Sequence, residues 1–325
     1  MIIAEIGSVH DGSFGNAQML IELAAECGAD CIKFQTHIAE AESLPSAPSP
    51  DYFKDESRIE YFERTSFTKD QWIKLKQTAD EYNILFLSSP FSMEAVDLLE
   101  EVGVFAYKIP SGEVTNLPLL EKIASLGKPV FLSSGMSNWE ELDDAVNVFR
   151  DCELTVMQCS SSYPCPSEQV GLNVIIEMKK RYNCNIGFSD HSLGFAASIS
   201  AAALGVNVIE KHFTFSNKMY GSDAKNSMEP QKFSLFCKEV KDVWKMLKNP
   251  VDKNDMSNYA EMKKIFQKSI VAACDIPKGT KIDIQHLAFK KPGDGIPASH
   301  YSAIMGCKAS RKIKENEKLS MKDLL

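Results

Sequence analysis

The chain alternates eight times between a short apolar run and a longer amphipathic stretch, and this alternation most limits its possible fold. The apolar runs are residues 2–8, 31–36, 84–90, 106–113, 130–136, 154–164, 186–192 and 206–214. Most of them carry few charges until their C-terminal ends, as is typical of strands buried on both faces. The pattern predicts an α/β protein with a (β/α)8 TIM barrel, and a doubly wound open sheet is the alternative.

Two other segments suggest how the rest of the chain is organised. Residues 39–68 are rich in serine, proline and acidic residues and follow the second strand, so we expect a lid or a rim loop there. After about residue 247 the sequence becomes polar and rich in turn signals. We therefore predict a barrel over residues 1–247, a linker over 248–265 and a small α+β domain over 266–325.

The composition excludes some classes of function. The net charge of −8 provides no basic surface for nucleic acid or an anionic membrane. No apolar run approaches the length of a membrane span, and the first residues lack the basic and apolar regions of a signal peptide. The nine cysteines show no CxxC spacing, which favours reduced thiols. We expect a cytoplasmic protein without nucleic-acid or membrane partners.

Polar side chains gather at the C-terminal ends of the predicted strands, which meet at one pocket in a barrel. This distribution favours an enzyme. The residues suited to bind a phosphate or a carboxylate are Lys33, Lys108, Ser89, Ser111, Ser133 and Ser189. The alternative for each lysine is an ion pair with a glutamate at a neighbouring strand end. A nucleotide is not expected, because neither a Walker loop nor a GxGxxG motif is present.

His191 and His212 end two consecutive predicted strands. Neighbouring strands lie about 5 Å apart, so one divalent ion such as Mn²⁺, Mg²⁺ or Fe²⁺ could contact both imidazoles. The alternative is one packed histidine and one general base. The other histidines are His10, whose place stays open, and His37, His286 and His300, which are expected on the surface or in loops.

A lysine near a strand end also keeps a Schiff-base aldolase under consideration, and Lys211 is in such a position. However, Lys211 adjoins His212 within a strand, and consecutive strand side chains point to opposite faces. If His212 faces the pocket, Lys211 does not.

Several blocks of sequence resemble the sialic acid (N-acetylneuraminate) synthases, a family that includes the legionaminic and pseudaminic acid synthases. The blocks are IIAEIG, KFQT, SSPF, KIPSGE, SSGM, YPCP, IGFSDHS and IEKHFT, followed by KSIVA, IPKGT and PGDGI in the C-terminal region. The first eight are similar to the barrel of that family, and the last three to its small antifreeze-like (SAF) domain.

The resemblance implies a role for each matching residue. His191 and His212 would hold Mn²⁺ or Mg²⁺ and, with Glu113 as the acid/base or water-positioning group, form the catalytic set. The implied phosphoenolpyruvate-binding residues are Lys33, Gln35, Ser89, Lys108, Ser111, Ser133 and Ser189. The implied sugar-binding residues are Glu5, Tyr163, Asp223 and Lys291.

The reaction implied is the condensation of phosphoenolpyruvate with the open-chain aldehyde of an N-acylated amino sugar, such as N-acetylmannosamine or a 6-deoxy-diacetamido relative. Phosphate is released by C–O cleavage. The resemblance further implies a homodimer in which the SAF domain of one subunit caps the barrel of the other. The alternatives are a metal-independent Schiff-base aldolase that uses Lys33, Lys108 or Lys211, and a catalytically silent sugar-binding protein.

The chain departs from the family pattern where the sugar is expected. The differences are at Val9, at Ser160–Ser162, at Ala224, where a histidine is common, and at Lys291, where an arginine is common. Lysine cannot reproduce a bidentate arginine contact. We therefore place the choice of sugar near these positions.

Overall fold

The structure is a computed structural model that describes residues 1–49 and 56–325. These residues form two compact units, Met1–Asn249 and Pro250–Leu325. Part of the expected lid, residues 50–55, lies outside the described residues.

The first unit is a closed barrel of parallel strands in the order β1 to β8, which confirms the predicted TIM barrel and excludes the open sheet. The strands β1 to β8 are Ile2–Gly7, Cys31–Thr36, Leu85–Pro90, Tyr107–Ile109, Val130–Ser133, Leu154–Cys159, Asn185–Asp190 and Ile209–His212. Strand β4 is shorter than residues 106–113, because Pro110 has no N–H to continue the ladder. A 3₁₀ turn, Ser111–Glu113, follows it.

Helices surround the barrel. Helices α1 to α10 are Phe14–Glu26, Ala39–Glu42, Arg58–Thr65, Lys69–Glu81, Met93–Val102, Leu117–Ser125, Trp139–Val148, Leu172–Arg181, Ala196–Ala203 and Pro230–Lys248. Capping boxes begin three of them, at Ser57, Thr68 and Asn138. The expected lid thus contains two helices, α2 and α3, in addition to loop.

The inside of the barrel is built in layers. Its lower layer is apolar and consists of Ile3, Cys31, Leu87, Ala106, Phe131, Met157 and Val208. Since strand side chains alternate with a period of two, the residue two positions further along each strand faces the same interior. These next residues include Glu5, Lys33, Lys108 and Glu210, which are all buried. A polar layer therefore lies directly above an apolar one, toward the C-terminal ends of the strands.

The second unit has its own small core. Helix α11 is Ala260–Phe266, and an antiparallel pair, β9 Ser269–Ala272 and β10 Leu287–Lys290, is followed by helix α12, Tyr301–Ile304. The core residues are Ile270, Ala272, Ile276, Ile282, Leu287, Ile304, Ala309, Ile313 and Leu319. Among the helices that the structure describes, none is long and apolar enough to cross a membrane.

Candidate active site

Two lysines and two glutamates form a buried cluster in the polar layer of the barrel. The Nζ atom of Lys33 lies 2.7 Å from Glu5 Oε2 and 4.0 Å from Glu210 Oε1. The Nζ atom of Lys108 lies 3.7 Å from Glu210 Oε2. The ion pairs weighed as the alternative for each lysine are therefore present, and they join both lysines in one site.

Burial and charge act on the members of this cluster in different ways. Burial alone would lower the pKa of Lys33, but Glu210 and Glu5 offset it and the pKa lies above the usual lysine value. Burial lowers the pKa of Lys108, and the charge of Lys33 lowers it further. The charge of Glu210 raises it, but not enough to restore the usual value. Burial opposes ionisation of Glu210, but Lys108 and Lys33 hold its pKa below the usual value. Lys108 therefore loses its proton more readily than Lys33 does.

Serine hydroxyls surround the two lysines. Lys108 donates to Ser133 at 2.5 Å and Lys33 donates to Ser89 at 3.3 Å. Ser189 donates to Glu210 at 3.3 Å. Ser111, on the turn after β4, accepts from the backbone N–H of Gly135 at 3.0 Å.

Glu113 ends the same turn and is half-buried. Its carboxylate accepts a hydrogen bond from the Asn116 side chain at 2.8 Å. The pKa of Glu113 is raised, chiefly by burial and also by the charge of Glu42, while the Asn116 contact opposes the rise. A carboxyl group in this environment takes up a proton more readily than an exposed one.

His191 and His212 lie side by side, with ring centroids 5.5 Å apart. His191 Nδ1 lies 2.8 Å from the carbonyl oxygen of Ser160. Because a carbonyl oxygen accepts, the proton is on Nδ1, and Nε2 carries the lone pair that can bind a metal. The Tyr163 hydroxyl lies 3.1 Å from that Nε2 atom. Burial lowers the pKa of His212, which favours the neutral ring that a metal needs.

The two histidines fit a divalent ion that takes only two of its ligands from the protein. His212 Nδ1 is buried without a hydrogen-bond partner. No group of three or more His, Cys, Asp and Glu side chains is placed to hold a metal in the part of the chain that the structure describes. An ion here would need further oxygen ligands from substrate or water.

The buried side-chain atoms without a hydrogen-bond partner are concentrated in this region. Among the described residues they are Glu5 Oε2, which faces the Lys33 ammonium at 2.7 Å, Glu210 Oε2, which faces the Lys108 ammonium at 3.7 Å, and His212 Nδ1. Glu5 and His212 are paired residues of the neighbouring strands β1 and β8, and Glu210 lies two residues before His212. Buried polar atoms are usually satisfied, so His212 Nδ1, which has neither a hydrogen bond nor an ion pair within the described residues, marks a place where a ligand binds.

A cavity of about 250 Å³ opens beside His212. The residues that line it are Ser8, Gln35, His37, Arg58, Tyr61, Phe62, Phe91, Tyr163, His212, Ser222, Asp223, Lys225 and Asn226. Three of the four residues assigned to the sugar from the sequence lie in or next to it. Tyr163 and Asp223 line it, and Glu5 accepts a hydrogen bond from Gln35 at 2.8 Å.

Lys291 belongs to the second unit, where its ammonium group lies 5.1 Å from the centroid of the Phe266 ring.

Lys211 forms an ion pair with Asp190 at 3.0 Å and is buried, whereas His212 lines the cavity. This arrangement confirms that Lys211 and His212 point to opposite faces.

The sequence interpretation missed part of this arrangement. Val9 and Ala224 are fully buried in the barrel core, so their side chains do not line the cavity beside His212. His10 is buried as well, among aromatic rings. His37 lies in the loop between β2 and α2, within the expected surface or loop setting, but its side chain is only 11% exposed and lines the cavity, which the sequence did not indicate. Glu210 could have been assigned from the sequence, because it precedes His212 by two residues in a strand.

Comparisons with known proteins agree with this geometry. Residues 20–252 match the NeuB family and residues 267–325 match the SAF domain. The chain is 38% identical over 327 residues to the N,N'-diacetyllegionaminic acid synthase of Campylobacter jejuni, covering 98% of each chain. It is 34% identical over 325 residues to the human N-acetylneuraminate-9-phosphate synthase, covering 97% of this chain and 90% of the other.

A solved structure is similar in fold. It is the N-acetylneuraminic acid (sialic acid) synthetase of Leptospira borgpetersenii serovar Hardjo-bovis in complex with citrate, with 31% identity and a TM-score of 0.72. The similarity covers 81% of this chain and 90% of that chain. The resemblance inferred from the sequence motifs is confirmed: the chain belongs to the NeuB family and carries a SAF domain at its C-terminal end.

Proposed function

We propose that this protein condenses phosphoenolpyruvate with the open-chain aldehyde of an N-acylated amino sugar, forming a carbon–carbon bond and releasing phosphate. The observation that carries the proposal is the buried lysine–glutamate cluster next to two adjacent imidazoles, one of which has a buried nitrogen without a partner among the described residues. Membership of the NeuB family supports it, as do the synthase activities named for the relatives.

Phosphoenolpyruvate carries a phosphate and a carboxylate, which suit the two ammonium groups and the hydroxyls around them. We assign it to Lys33 and Lys108, assisted by the nearby side chains Ser89, Ser111, Ser133 and Ser189. Gln35, which the resemblance placed in this set, lines the cavity beside His212, and we assign it to the sugar instead. Glu5 and Glu210 keep the two lysines positioned in the buried site before the ligand binds. A preorganised pair of positive charges stabilises the phosphate as it leaves.

The sugar occupies the cavity beside His212 in this proposal, with Glu5, Tyr163 and Asp223 as contacts. The names of the relatives differ in the sugar acid that they form, so the acyl groups and the identity of the amino sugar are left open. From the family resemblance we also propose that Lys291 reaches the sugar of the partner in a homodimer whose SAF domains cap the barrels. Measuring the mass in solution tests the dimer.

The chemical steps balance with water as the third reactant. The enol carbon of phosphoenolpyruvate attacks the aldehyde carbon, and water adds to the carbon that carries the phosphate. Glu113 takes one proton from that water and returns it to the former aldehyde oxygen, which becomes a hydroxyl. Phosphate leaves with the electrons of the C–O bond and takes the second proton of the water as the keto group forms. Mn²⁺ or Mg²⁺ held by His191 and His212 would polarise the aldehyde oxygen. The product is a longer α-keto acid that keeps the acylamino groups.

The test is phosphate release from phosphoenolpyruvate with a panel of N-acyl mannosamines and 6-deoxy-diacetamido sugars, in the presence of Mn²⁺ or Mg²⁺. We expect release with at least one sugar, its loss on chelation, and a loss of at least about 100-fold in His191→Ala and His212→Ala. His300→Ala is the matched control, because His300 lies on a short 3₁₀ turn of the second unit.

Two outcomes would contradict the proposal. The first is no phosphate release with any sugar of the panel. The second is turnover that survives chelation but stops after borohydride trapping with a keto substrate, which would favour the Schiff-base aldolase. If the two histidine variants keep metal-dependent turnover, the assignment of the ligands is wrong while the reaction class stands.

A further inference from the structure

The ring of His37 is held between two aromatic rings at the edge of the sugar cavity. Its centroid lies 3.8 Å from that of Phe62, with an interplanar angle of 13°, and 4.1 Å from that of Phe91, with an angle of 20°. Phe62 belongs to helix α3, and Phe91 directly follows strand β3. The ring is therefore fixed in orientation by stacking on both faces.

Both ring nitrogens of His37 face hydrogen-bond acceptors. Nδ1 lies 2.9 and 3.0 Å from the two carboxylate oxygens of Glu42, whose side chain is only 4% exposed. Nε2 lies 3.2 Å from the amide oxygen of Gln35. An ionised carboxylate and an amide oxygen accept but do not donate. For both contacts to be hydrogen bonds to acceptors, each ring nitrogen has to donate.

The orientation of the Gln35 amide is fixed from its other side as well. Its Nε2 donates to Glu5 Oε1 at 2.8 Å, so its oxygen must face His37. A reversed amide would place the oxygen against the Glu5 carboxylate and the N–H groups against the His37 N–H. The result is a continuous chain of hydrogen bonds from Glu42 through His37 and Gln35 to Glu5, which is itself paired with Lys33.

This chain determines what Gln35 offers to the cavity that it lines. One of its two amide N–H groups is used by Glu5, and the other has no partner within the described part of the chain. We propose that His37 is a positioning residue that, as an imidazolium between Glu42 and Gln35, makes Gln35 present an N–H donor to an oxygen of the sugar. The inference rests on the function proposed above. It predicts that the sugar places a carbonyl or hydroxyl oxygen next to Gln35.

The sharpest variant removes the orienting group without removing the packing. In His37→Phe/Glu42→Leu an aromatic ring still fills the space between Phe62 and Phe91, and no buried charge is left without a partner. The Gln35 amide then keeps only its hydrogen bond to Glu5 and loses the contact that holds its oxygen end. We expect KM for the sugar to rise about three- to tenfold, the effect of one hydrogen bond, with KM for phosphoenolpyruvate changed less than about twofold.

His286→Phe is the matched control, because His286 also pairs with a carboxylate, that of Asp283, but in the second unit. It should leave both KM values unchanged. Equal sugar KM values for the wild type and the double variant would overturn the positioning role.

A second measurement does not depend on turnover. In protein labelled with ¹⁵N-histidine, the His37 ring should show two protonated nitrogens, with the signals assigned through His37→Phe. Glu42→Gln should convert the ring to a neutral tautomer. In ¹⁵N-glutamine-labelled protein, the side-chain amide signals of Gln35 should change in the double variant.

These signals separate the inference from the proposed reaction. If no sugar supports phosphate release but the ring is doubly protonated and the Gln35 signals respond, the positioning arrangement stands and the reaction does not. A neutral His37 ring in the wild type would overturn the inference whatever the activity. So would Gln35 amide signals that do not change in the double variant.

Discussion

The Nζ atom of Lys33 lies 2.7 Å from Glu5 Oε2, and both side chains are almost fully buried. Lys33→Met would leave the Glu5 carboxylate without its partner inside the barrel. Removing one member of a buried pair typically costs about 3 kcal/mol or more of the free energy of unfolding. We expect this loss in urea denaturation, together with a loss of phosphate release of at least about 100-fold.

Lys241→Met supplies the control for Lys33→Met. Lys241 lies at the same distance, 2.7 Å, from a carboxylate oxygen of Asp30, but its side chain is 43% exposed. Pairs in this setting contribute less than about 1 kcal/mol. Equal destabilisation by the two substitutions would mean that burial does not determine the strength of the Lys33 pair.

Lys108 should make the binding of phosphoenolpyruvate sensitive to alkaline pH. Its pKa is lowered by burial, an effect that Lys33 reinforces and that Glu210, Cys159 and Glu5 oppose. As the pH rises, Lys108 loses its proton before an ordinary lysine would, and the attraction for the anionic ligand weakens. The pKa of Lys33 is raised, so Lys33 keeps its charge over the same range. Titration calorimetry between about pH 7 and about pH 10 should show Kd rising in the wild type.

Lys108→Arg separates this effect from a general alkaline loss of structure. Arginine remains charged over the whole range. The variant should bind phosphoenolpyruvate more weakly at neutral pH, because the planar guanidinium group does not fit a site shaped for an ammonium group. Its Kd should change little with pH. A wild-type Kd that is constant over the range, or a parallel rise in the variant, would show that another group is responsible.

His10 should make the barrel less stable in mild acid. It is 2% exposed, and burial lowers its pKa from 6.5 to about 4. Between these values the unfolded chain binds a proton that the folded chain does not, so the free energy of unfolding falls as the pH falls. The linkage predicts a loss of about 2 kcal/mol between about pH 7 and about pH 5 from this residue.

His10→Asn tests this origin of the acid sensitivity. His10 Nδ1 accepts a hydrogen bond from the backbone N–H of Gly12 at 3.2 Å, and an asparagine oxygen can take over that role without titrating. Urea denaturation at several pH values should show a shallower pH dependence in the variant. If both proteins lose stability in parallel, His10 is not the group that titrates.

Most of the barrel and much of the site could be predicted from the sequence, because both follow from the period of two in a strand. Cys31 and Lys33 illustrate this: the first contributes to the apolar layer, and the second, two residues later, to the polar one. The same rule separates Lys211 from His212. The shortening of β4 was also visible, since Pro110 stands where the ladder ends.

The surroundings of His37 could not be predicted in this way. Its partners Glu42, Phe62 and Phe91 come from three segments that only the folded barrel brings together. Val9 is a case in which the sequence suggested a role that the structure does not support. It was connected with the sugar because the chain departs there from the family pattern, but its side chain packs into the core. Sequence spacing gives the face of a strand residue, whereas a loop residue's direction depends on contacts made elsewhere.

Gly7 should control the position of Asp223 in the sugar cavity. It ends β1 with φ of 54°, and a Cβ atom added there would lie 2.3 Å from Asp223 Oδ2. That oxygen also accepts hydrogen bonds from the backbone N–H and the hydroxyl of Ser8, at 3.0 and 3.1 Å. Gly7→Ala must therefore displace the carboxylate and break these contacts. We expect KM for the sugar to rise at least about tenfold with little change in KM for phosphoenolpyruvate.

Gly103→Ala is the control for Gly7→Ala, because it imposes a similar backbone strain without a collision. Gly103 has φ of 81° at the end of helix α5, and an added Cβ would meet no atom within 4 Å. Both substitutions should lower the free energy of unfolding by about 1 kcal/mol, since an L-residue is strained at positive φ. Only Gly7→Ala should alter the sugar KM. An equal change in both variants would attribute the effect to lost stability, and no change in either would remove Asp223 from the proposed sugar contacts.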